Sequence, residues 1–210
     1  MLIRHGESMA MVDSVVGGHE GCRGLSELGR NQVEALRDRF AATGEVTADA
    51  LYASVLPRAI ETAEILAPAL GGLPVEQDCD VCEQHPGEGD GLRWEEFEAK
   101  YRPEGWRFDP YEPLAPGGES VAEFNARVAS TLTGLASRHI GETVVVACHG
   151  GVVAASMISF LGLPFHGGLT QLFSQNTSLT EWALPDDRAE HPHPWRLLRY
   201  NDSAHLAGVA

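Results

Sequence analysis

Two short apolar runs in this chain each lead into a histidine that is followed by glycine. The first covers residues 1–3 and is followed by Arg4 and His5, and the second covers residues 144–147 and is followed one residue later by His149. A short continuous apolar run is typical of a central parallel strand that is buried on both faces. Because ligands bind at the carboxyl ends of such strands, the pattern predicts that both histidines face one crevice.

The rest of the pattern alternates between strands and helices, which predicts an α/β fold. Helices are predicted over 26–42, 57–70, 119–138 and 151–162, with short strands at 51–53, near 178–183 and near 195–200. Little helical pattern separates the last two strands, which favours antiparallel pairing for them. The expected architecture is a three-layer sandwich with a mostly parallel central sheet flanked by helices.

Residues 1–210 are predicted to form a single domain with one long excursion. Residues 83–118 interrupt the alternation and are rich in glycine, proline, tryptophan and charge, with one helix expected near 93–101. We interpret this segment as an excursion over the active-site end of the sheet. The tail after Asn201 is short and is expected to pack loosely.

The charge of the chain restricts its partners. Thirty acidic residues oppose 15 basic ones, giving a net charge of −15. This balance argues against nucleic acid as a partner, and an anionic substrate would have to be held by a local cluster of cations. No run approaches the roughly 18 apolar residues of a membrane span, and no signal peptide is apparent. A cytoplasmic protein is expected; the sequence leaves the oligomeric state open, with a homodimer as one option.

The four cysteines are Cys22, Cys79, Cys82 and Cys148. Cys79 and Cys82 form a C-x-x-C pair, which can be a redox pair or half of a zinc site. No second C-x-x-C is present to complete a metal cage, and the pair does not open a helix after a strand. We therefore expect four reduced thiols of structural or incidental role, with no metal and no cofactor.

The two histidines and nearby arginines suit cleavage of a phosphate ester. Such a reaction needs a nucleophile, cations around the phosphoryl oxygens and a proton for the leaving alkoxide. A neutral imidazole can attack phosphorus directly, which makes His5 the candidate nucleophile, with its other ring nitrogen held by a backbone carbonyl near Gly6 or Glu7. Arg4 and Arg58 can each form forked bonds to phosphate.

Other groups would complete this chemistry. His149, if protonated beside the phosphate dianion, adds a third donor to its oxygens. The proton donor is expected in the loop after Cys82, where Glu83, Glu88 and Asp90 all lie. Reasoning from the residues alone leaves the choice among these three carboxylates open.

Several segments in order resemble the histidine phosphatase superfamily, the phosphoglycerate-mutase-like group. The matching segments are 2–8, 24–32, 51–63, 116–120, 145–151 and 200–206. The resemblance implies that His5 is phosphorylated, that Arg4, Arg58 and His149 form the phosphate pocket, and that no metal takes part. It also favours Glu83 as the acid, because the family's catalytic glutamate lies just before a glycine-rich stretch.

One departure from the family pattern concerns phosphate binding. Many members carry an asparagine six residues after the nucleophile, where this chain has Met11, which has no donor. Arg23 or Gly24 of the neighbouring loop is the expected substitute. The amides that follow Gly150 at a helix start are expected to add a weaker positive field.

The sequence thus predicts a metal-independent phosphomonoesterase that acts on a small-molecule phosphate ester through a phosphohistidine on His5. Two alternatives stay open: phosphoryl transfer of the phosphoglycerate-mutase type, and a catalytically silent protein that binds phosphorylated ligands. The excursion at 83–118 is shorter than the lid usual in mutases of this group, which favours hydrolysis. The identity of the ester is not encoded in the fold.

Overall fold

All strands of the computed structural model, which describes residues 1–164, 172–184 and 195–209, lie in one sheet. They are β1 (Leu2–Arg4), β2 (Ala50–Ala53), β3 (Val75–Gln77), β4 (Val144–Cys148), β5 (Leu179–Ala183) and β6 (Arg196–Asp202), arranged in the order β3-β2-β4-β1-β5-β6. Strands β1 to β4 are mutually parallel, whereas β5 is antiparallel to β1 and β6 is antiparallel to β5. The predicted mostly parallel sheet with an antiparallel final pair is confirmed.

The helices are α1 (Met9–Val12), α2 (Glu27–Thr43), α3 (Pro57–Leu66), α4 (Trp94–Tyr101), α5 (Val121–Arg138) and α6 (Gly150–Phe160). Ser26 starts α2 by accepting a hydrogen bond from the Gly29 amide at 2.9 Å, which satisfies one of the free N–H groups of the first turn. The helix predicted over 57–70 changes to a 3-10 helix at Ala67, because Pro68 has no amide hydrogen to continue the α-helical pattern.

The sequence analysis did not predict two short elements, the strand β3 and the helix α1. The edge strand β3 has only one apolar residue in its three positions, and its side chains are partly or fully exposed. The one-turn helix α1 begins at Ser8, whose hydroxyl accepts a hydrogen bond from Met11 N at 3.3 Å. Neither element is long enough to show a periodic pattern.

Helices cover both faces of the sheet, which confirms the three-layer sandwich. On one face, α2 and α3 pack on alternate residues of the central strands, including Ile3, Leu51 and Val145. On the other face, α5 and α6 pack on the intervening positions, such as Leu2 and Val146. This alternation places both faces of β1 and β4 in the core, which explains their continuous apolar sequences.

The order of the central strands brings three loops to one edge of the sheet. Strands β2, β4 and β1 are neighbours and parallel, and they end at Ala53, Cys148 and Arg4. The residues that follow them, including His5 and His149, therefore lie side by side. The first turn of α3, which follows β2, brings Arg58 to the same edge.

The segment 83–118 folds against the loop that follows α1. Phe97 of α4 is fully buried in a small cluster with Val16 and Ala115. Backbone hydrogen bonds join the two segments, from Val16 N to Leu92 O at 2.8 Å and from Gly91 N to Val16 O at 3.0 Å. These contacts hold α4 beside the carboxyl edge of the sheet.

The expectation of a loosely packed tail after Asn201 is wrong. Asp202 accepts two hydrogen bonds from the Arg39 guanidinium, at 3.0 and 2.8 Å, and the following 3-10 helix, Ala204–Leu206, packs against α2. His205 Nε2 lies 2.7 Å from Thr177 Oγ1. Long-range polar contacts of this kind leave no periodic signal in the sequence.

Within the described ranges, no helix is long and apolar enough to cross a bilayer.

Candidate active site

His5 is buried directly after β1 with its ring fixed at both nitrogens. Nδ1–H donates to Gly6 O at 2.6 Å, and Nε2 lies 3.1 Å from Arg58 Nε. Because a guanidinium can only donate, Nε2 must be the acceptor and carries a lone pair. A backbone carbonyl near Gly6 or Glu7 was expected to hold the ring; the carbonyl of Gly6 itself does so, and it fixes the tautomer in which Nε2 carries the lone pair.

The surroundings of His5 keep its ring neutral. Burial lowers the pKa of His5 well below its ordinary value, and the neighbouring Arg58 guanidinium lowers it further. Both effects disfavour the imidazolium form, the first by desolvation and the second by repulsion. The unprotonated ring is therefore the resting form at neutral pH.

Arg58 is a buried cation whose position is set by the start of α3. Pro57 occupies the first helical position, where its missing amide hydrogen is not needed, and the Arg58 side chain then reaches the end of β1. Its Nη1 donates to Gly17 O at 2.7 Å and its Nε to the His5 ring. The guanidinium thus links His5 to the loop after α1.

Arg4 projects from the last position of β1 to the other side of His5. Its Nη1 donates to Ser174 O, and its Nη2 lies 3.8 Å from Met11 Sδ. Its Nε is buried and has no hydrogen-bond partner in the described part of the chain. Arg4 therefore has a donor available for a bound anion.

Met11 lies at the place where many members of the resembling family have asparagine. An asparagine approaches this place from elsewhere in the chain: Asn176 Nδ2 is 3.7 Å from Met11 Sδ and donates to His5 O at 2.9 Å. The Asn176 amide supports the backbone of the nucleophile. The thioether of Met11 fills part of the cavity wall and contacts Arg4.

His149 lies against His5 at the start of α6. The two ring centroids are 5.2 Å apart in an edge arrangement. His149 Nε2 is hydrogen-bonded to Ser54 Oγ at 2.6 Å, and its buried Nδ1 has no partner among the residues described. Burial, and then the positive charge of Arg58, lowers the pKa of His149 well below its ordinary value. The ligand-free ring is neutral, and a bound phosphate dianion would favour its protonation.

Glu83 reaches the same crevice and rests on the first turn of α6. Its Oε2 accepts from Gly151 N at 3.0 Å and its Oε1 from Gln84 N at 3.1 Å. A Cβ atom at Gly151 would lie 1.9 Å from Glu83 Oε1. Glycine is therefore required at position 151 if the Glu83 carboxylate is to occupy this place.

The structure separates the three candidate acids. Glu88 is exposed, with Oε2 3.9 Å from Lys100 Nζ. The Asp90 carboxylate accepts from three amides of the loop after α1, those of Gly18, Glu20 and Gly21. Asp90 thus fixes that loop, and of the three carboxylates only Glu83 lines the cavity at His5.

Two of the candidate substrate-binding residues lie away from the cavity. Arg23 is largely exposed and forms an ion pair with Asp13. Gly24 accepts from Met9 N through its carbonyl, at 3.0 Å, and adopts a positive φ of 86°. The structure does not bring Arg23 or Gly24 to His5, whereas Gly150 lines the cavity beside Arg4.

A cavity of about 360 Å³ opens above His5. Polar side chains form its floor, and residues such as Met11, Trp94 and Leu114 form an apolar wall. A second cavity, of about 330 Å³, lies beside the amino end of β4 and has no arginine or lysine among its described lining residues. Arg4, Arg58 and His5 therefore mark the first cavity as the candidate active site.

Two residues of the site were not singled out by sequence reasoning. Ser54 holds the His149 ring, and Asn176 supports His5. The aromatic side chains of the segment 83–118 offered a candidate lining for the substrate, and of these Trp94 lines the cavity. Ser54 follows directly after β2, so the strand-end rule that located His5 could also have indicated it. Asn176 follows residues that no motif connects to the site.

The comparison with known families agrees with this geometry. A sequence model described as histidine phosphatase superfamily (branch 1) matches residues 1–202. The chain belongs to the histidine phosphatase superfamily. The resemblance stated from the motifs is thereby confirmed.

Relatives within the superfamily have names of more than one activity. Phosphoglycerate mutase-like protein 4 of Arabidopsis thaliana is 33% identical over 157 residues, or 73% of this chain and slightly under two thirds (66%) of that protein. The metal-independent phosphoserine phosphatase of A. thaliana is 30% identical over 213 residues, covering 100% of this chain and 83% of that protein. A solved structure of a mycobacterial glucosyl-3-phosphoglycerate phosphatase with VO3 has a TM-score of 0.76 at 29% identity, covering 95% of this chain and 97% of that one.

Proposed function

We propose that this protein is a metal-independent phosphomonoesterase that hydrolyses a small-molecule phosphate ester through a phosphohistidine on His5. The observation that carries the proposal is the His5 tautomer: Nδ1–H is held by Gly6 O, so Nε2 carries the lone pair, which accepts from Arg58 Nε at the edge of a cavity that His5, Arg4, Arg58 and Glu83 line. Membership of the histidine phosphatase superfamily and the phosphatase names of relatives support the same conclusion.

In the first step, His5 Nε2 attacks phosphorus and the bond from phosphorus to the ester oxygen breaks. The leaving oxygen takes a proton from the Glu83 carboxyl, so an alcohol departs rather than an alkoxide. The phosphorylated ring keeps its proton on Nδ1, where Gly6 O accepts it at 2.6 Å in the free protein. This hydrogen bond stabilises the positive charge that the ring acquires.

In the second step, water attacks the phosphohistidine. The Glu83 carboxylate left by the first step accepts a proton from the water, the N–P bond breaks, and inorganic phosphate leaves with the neutral His5 ring restored. One carboxyl group thus serves both steps. The hydrogen bond from the Gly151 amide, at 3.0 Å, would hold it in place for both.

Three cationic or donor groups would hold the phosphoryl oxygens. Arg58 Nε, which bonds to the lone pair of His5 in the free protein, would transfer its hydrogen bond to a phosphate oxygen. Arg4 Nε is a buried donor without a partner in the described residues, and His149 Nδ1, which has none there either, would donate once the ring is protonated. Each donor aimed at the transition state is worth about 10²–10³ in rate.

The cavity fits a small ester. Its volume of about 360 Å³ is at the lower end of the range usual for small-molecule sites, about 300–1,000 Å³. The apolar wall at Trp94 and Leu114 would contact the alcohol part of the substrate.

Cytoplasmic location and a homodimeric state stay predictions, to be tested by fractionation and by light scattering.

A panel of phosphate esters at pH 5–7 tests the proposal. Inorganic phosphate released from at least one ester, without added metal, is the expected result. Conversion of one phosphoglycerate isomer into another without phosphate release would show a mutase instead. Binding of phosphorylated ligands with no turnover of any ester, including an aryl phosphate, would show a silent binding protein.

The pH dependence should reveal the buried histidines. Because burial and Arg58 lower the pKa values of His5 and His149, the acidic limb of kcat/KM should lie well below the usual histidine value of about 6.5. The neutral forms favour the folded state, so stability should be full above that pH and should decrease as pH falls toward the folded pKa values. Rate profiles corrected for the ionisation of the ester, with melting temperatures across pH, measure both; an acidic limb at or above 6.5 would contradict the prediction.

Replacing Gly151 should displace Glu83. The Cβ atom of Gly151→Ala would lie 1.9 Å from a Glu83 oxygen, so the carboxylate must move, and kcat should fall by about 10² or more. The matched control is Gly134→Ala in α5, whose Cβ would have only an ordinary contact, 3.6 Å from Arg138 Nη1. The control should keep kcat and gain about 0.4–1 kcal/mol of stability; equal activity of both variants would contradict the placement of Glu83.

A further inference from the structure

Four side chains with metal-ligating atoms meet beside the active-site loop, outside the cavity at His5. They are His19, Cys79, Cys82 and His85, and one ligand atom from each lies within 4.8 Å of all the others. The Sγ atoms of Cys79 and Cys82 are 3.7 Å apart. A tetrahedral Zn²⁺ ion with Zn–S bonds of about 2.3 Å separates two thiolates by about 3.8 Å.

The surroundings of His85 resemble those of a metal-bound histidine. Its Nδ1 is 3.6 Å from Glu119 Oε2, and its buried Nε2 has no hydrogen-bond partner in the described ranges. Glu119 is held in turn by Arg127, with contacts of 2.7 and 2.6 Å. Metal-ligating histidines generally direct their second nitrogen at an acceptor of this kind, which orients the ring.

A redox role for the cysteine pair is less consistent with the structure. The side chain of Cys82 is buried. Reactive cysteines lie in partly exposed surroundings, whereas buried cysteines are structural and inert. A bound cation would provide the charge that deprotonates these thiols, and their protons would pass to solvent.

We propose that Cys79, Cys82, His19 and His85 bind one Zn²⁺ ion in a closed tetrahedral site with a structural role. Four protein ligands leave no open position for water or substrate, as in other structural zinc sites. The expectation that no metal cage can form considered only a second cysteine pair; the two histidines supply the missing ligands. The ion would not contact the reacting atoms, so the hydrolytic chemistry stays metal-independent.

The site would connect three segments around the proposed acid. Cys82 directly precedes Glu83, and His85 lies two residues after it. His19 belongs to the loop whose Gly17 and Gly18 line the cavity. The ion would therefore fix the loop of Glu83 to the opposite wall of the active site and to the 3-10 turn Cys79–Val81.

Metal content tests the proposal independently of any phosphatase activity. Protein purified with reductant, stripped with chelator and dialysed against Zn²⁺ should retain one equivalent by mass spectrometry. Its Co²⁺ form should show thiolate charge-transfer absorption and tetrahedral d–d bands. Chelator should lower the melting temperature of the wild type but not that of Cys79→Ser.

Variants separate these ligands from other residues. Cys79→Ser and His19→Ala alter exposed positions, so both variants should fold. Each should weaken zinc binding by at least about ten-fold, because loss of a ligand should cost no less than loss of a residue that only hydrogen-bonds to a ligand. Glu119→Gln should weaken it by about 10–100-fold. The matched control His139→Ala removes an imidazole outside the site, bonded to Tyr52 and Glu142, and should retain one equivalent.

Three results would overturn the proposal. One is wild-type protein that holds no zinc after dialysis under reducing conditions. Another is unchanged zinc affinity in both Cys79→Ser and His19→Ala. The third is a thiol titration of protein isolated without oxidant that shows Cys79 and Cys82 joined in a disulfide.

Discussion

His5→Ala should lower kcat by about 10⁴-fold or more, as loss of the nucleophile does in other enzymes with covalent intermediates. The variant removes the ring whose Nε2 accepts from Arg58 Nε beside the cavity and whose Nδ1 is held by Gly6 O. Among the described residues that line the cavity, no other imidazole is present, and the neighbouring His149 ring is hydrogen-bonded to Ser54. Phosphate binding by the arginines should survive, so the loss should appear in kcat more than in binding.

Trapping of the intermediate measures this prediction directly. Wild-type enzyme quenched during turnover of a radiolabelled ester should carry a phosphoryl group that is labile in acid and stable in base, as expected of a phosphoramidate. His5→Ala should carry none. The control His139→Ala removes an imidazole bonded to Glu142 at the end of α5 and should keep both label and turnover. Label in His5→Ala, or turnover near that of the wild type, would contradict the assignment.

Much of this site follows from the sequence because one topological rule locates it. His5, His149 and the loop before Arg58 all follow apolar runs, and the carboxyl ends of neighbouring parallel strands meet at one edge. The order β2-β4-β1 then places the three side by side. Buried strands can be recognised in the sequence as continuous apolar runs, so the residues directly after them can be located without coordinates.

The acid could not be selected in the same way. Glu83, Glu88 and Asp90 share one loop, and the path of a loop depends on its contacts rather than on periodicity. In the structure, the Glu83 carboxylate accepts a hydrogen bond from the amide of Gly151, and the Asp90 carboxylate accepts from amides that include that of Gly18. Glu88 lies near Lys100. The partners of Glu83 and Asp90 are far from them in the sequence, and only the partner of Glu88 is nearby.

The proposed metal ligands illustrate the same limit. His19 and Cys79 lie 60 residues apart in the chain, and only the folding of the loop after α1 against the segment 83–118 brings the histidine to the cysteine pair. Spacing rules detect zinc sites whose ligands are near one another in sequence. Contacts made by packing of two irregular segments have no such spacing.

Glu83→Gln should show a loss that depends on the leaving group. For an alkyl phosphate, whose alkoxide needs a proton, kcat/KM should fall by about 10²–10⁴. For an aryl phosphate with a stable leaving anion, such as p-nitrophenyl phosphate, the first step should lose much less. The glutamine carbonyl can still accept from Gly151 N, so the variant keeps the contact that places the side chain.

Two control variants separate proton transfer from loop structure. Glu88→Gln changes an exposed carboxylate and should leave both substrates unaffected. Asp90→Asn weakens an acceptor of three amides, so it should lower stability and affect both esters alike. A plot of kcat/KM, which reports the phosphorylation step, against leaving-group pKa for each variant measures the difference; equal losses of kcat/KM for the alkyl and aryl esters in Glu83→Gln would contradict the role of acid.

The second step gives the sharper distinction for the same variant. If the Glu83 carboxylate also activates water, Glu83→Gln should be phosphorylated rapidly by p-nitrophenyl phosphate but dephosphorylated slowly. Rapid mixing should then show a burst of about one p-nitrophenolate per chain followed by slow turnover, the kinetic sign of an accumulating covalent intermediate. A side chain that merely shapes the cavity would slow phosphorylation and leave the attack of water on the phosphohistidine unaffected, so the intermediate would not accumulate and no burst would appear.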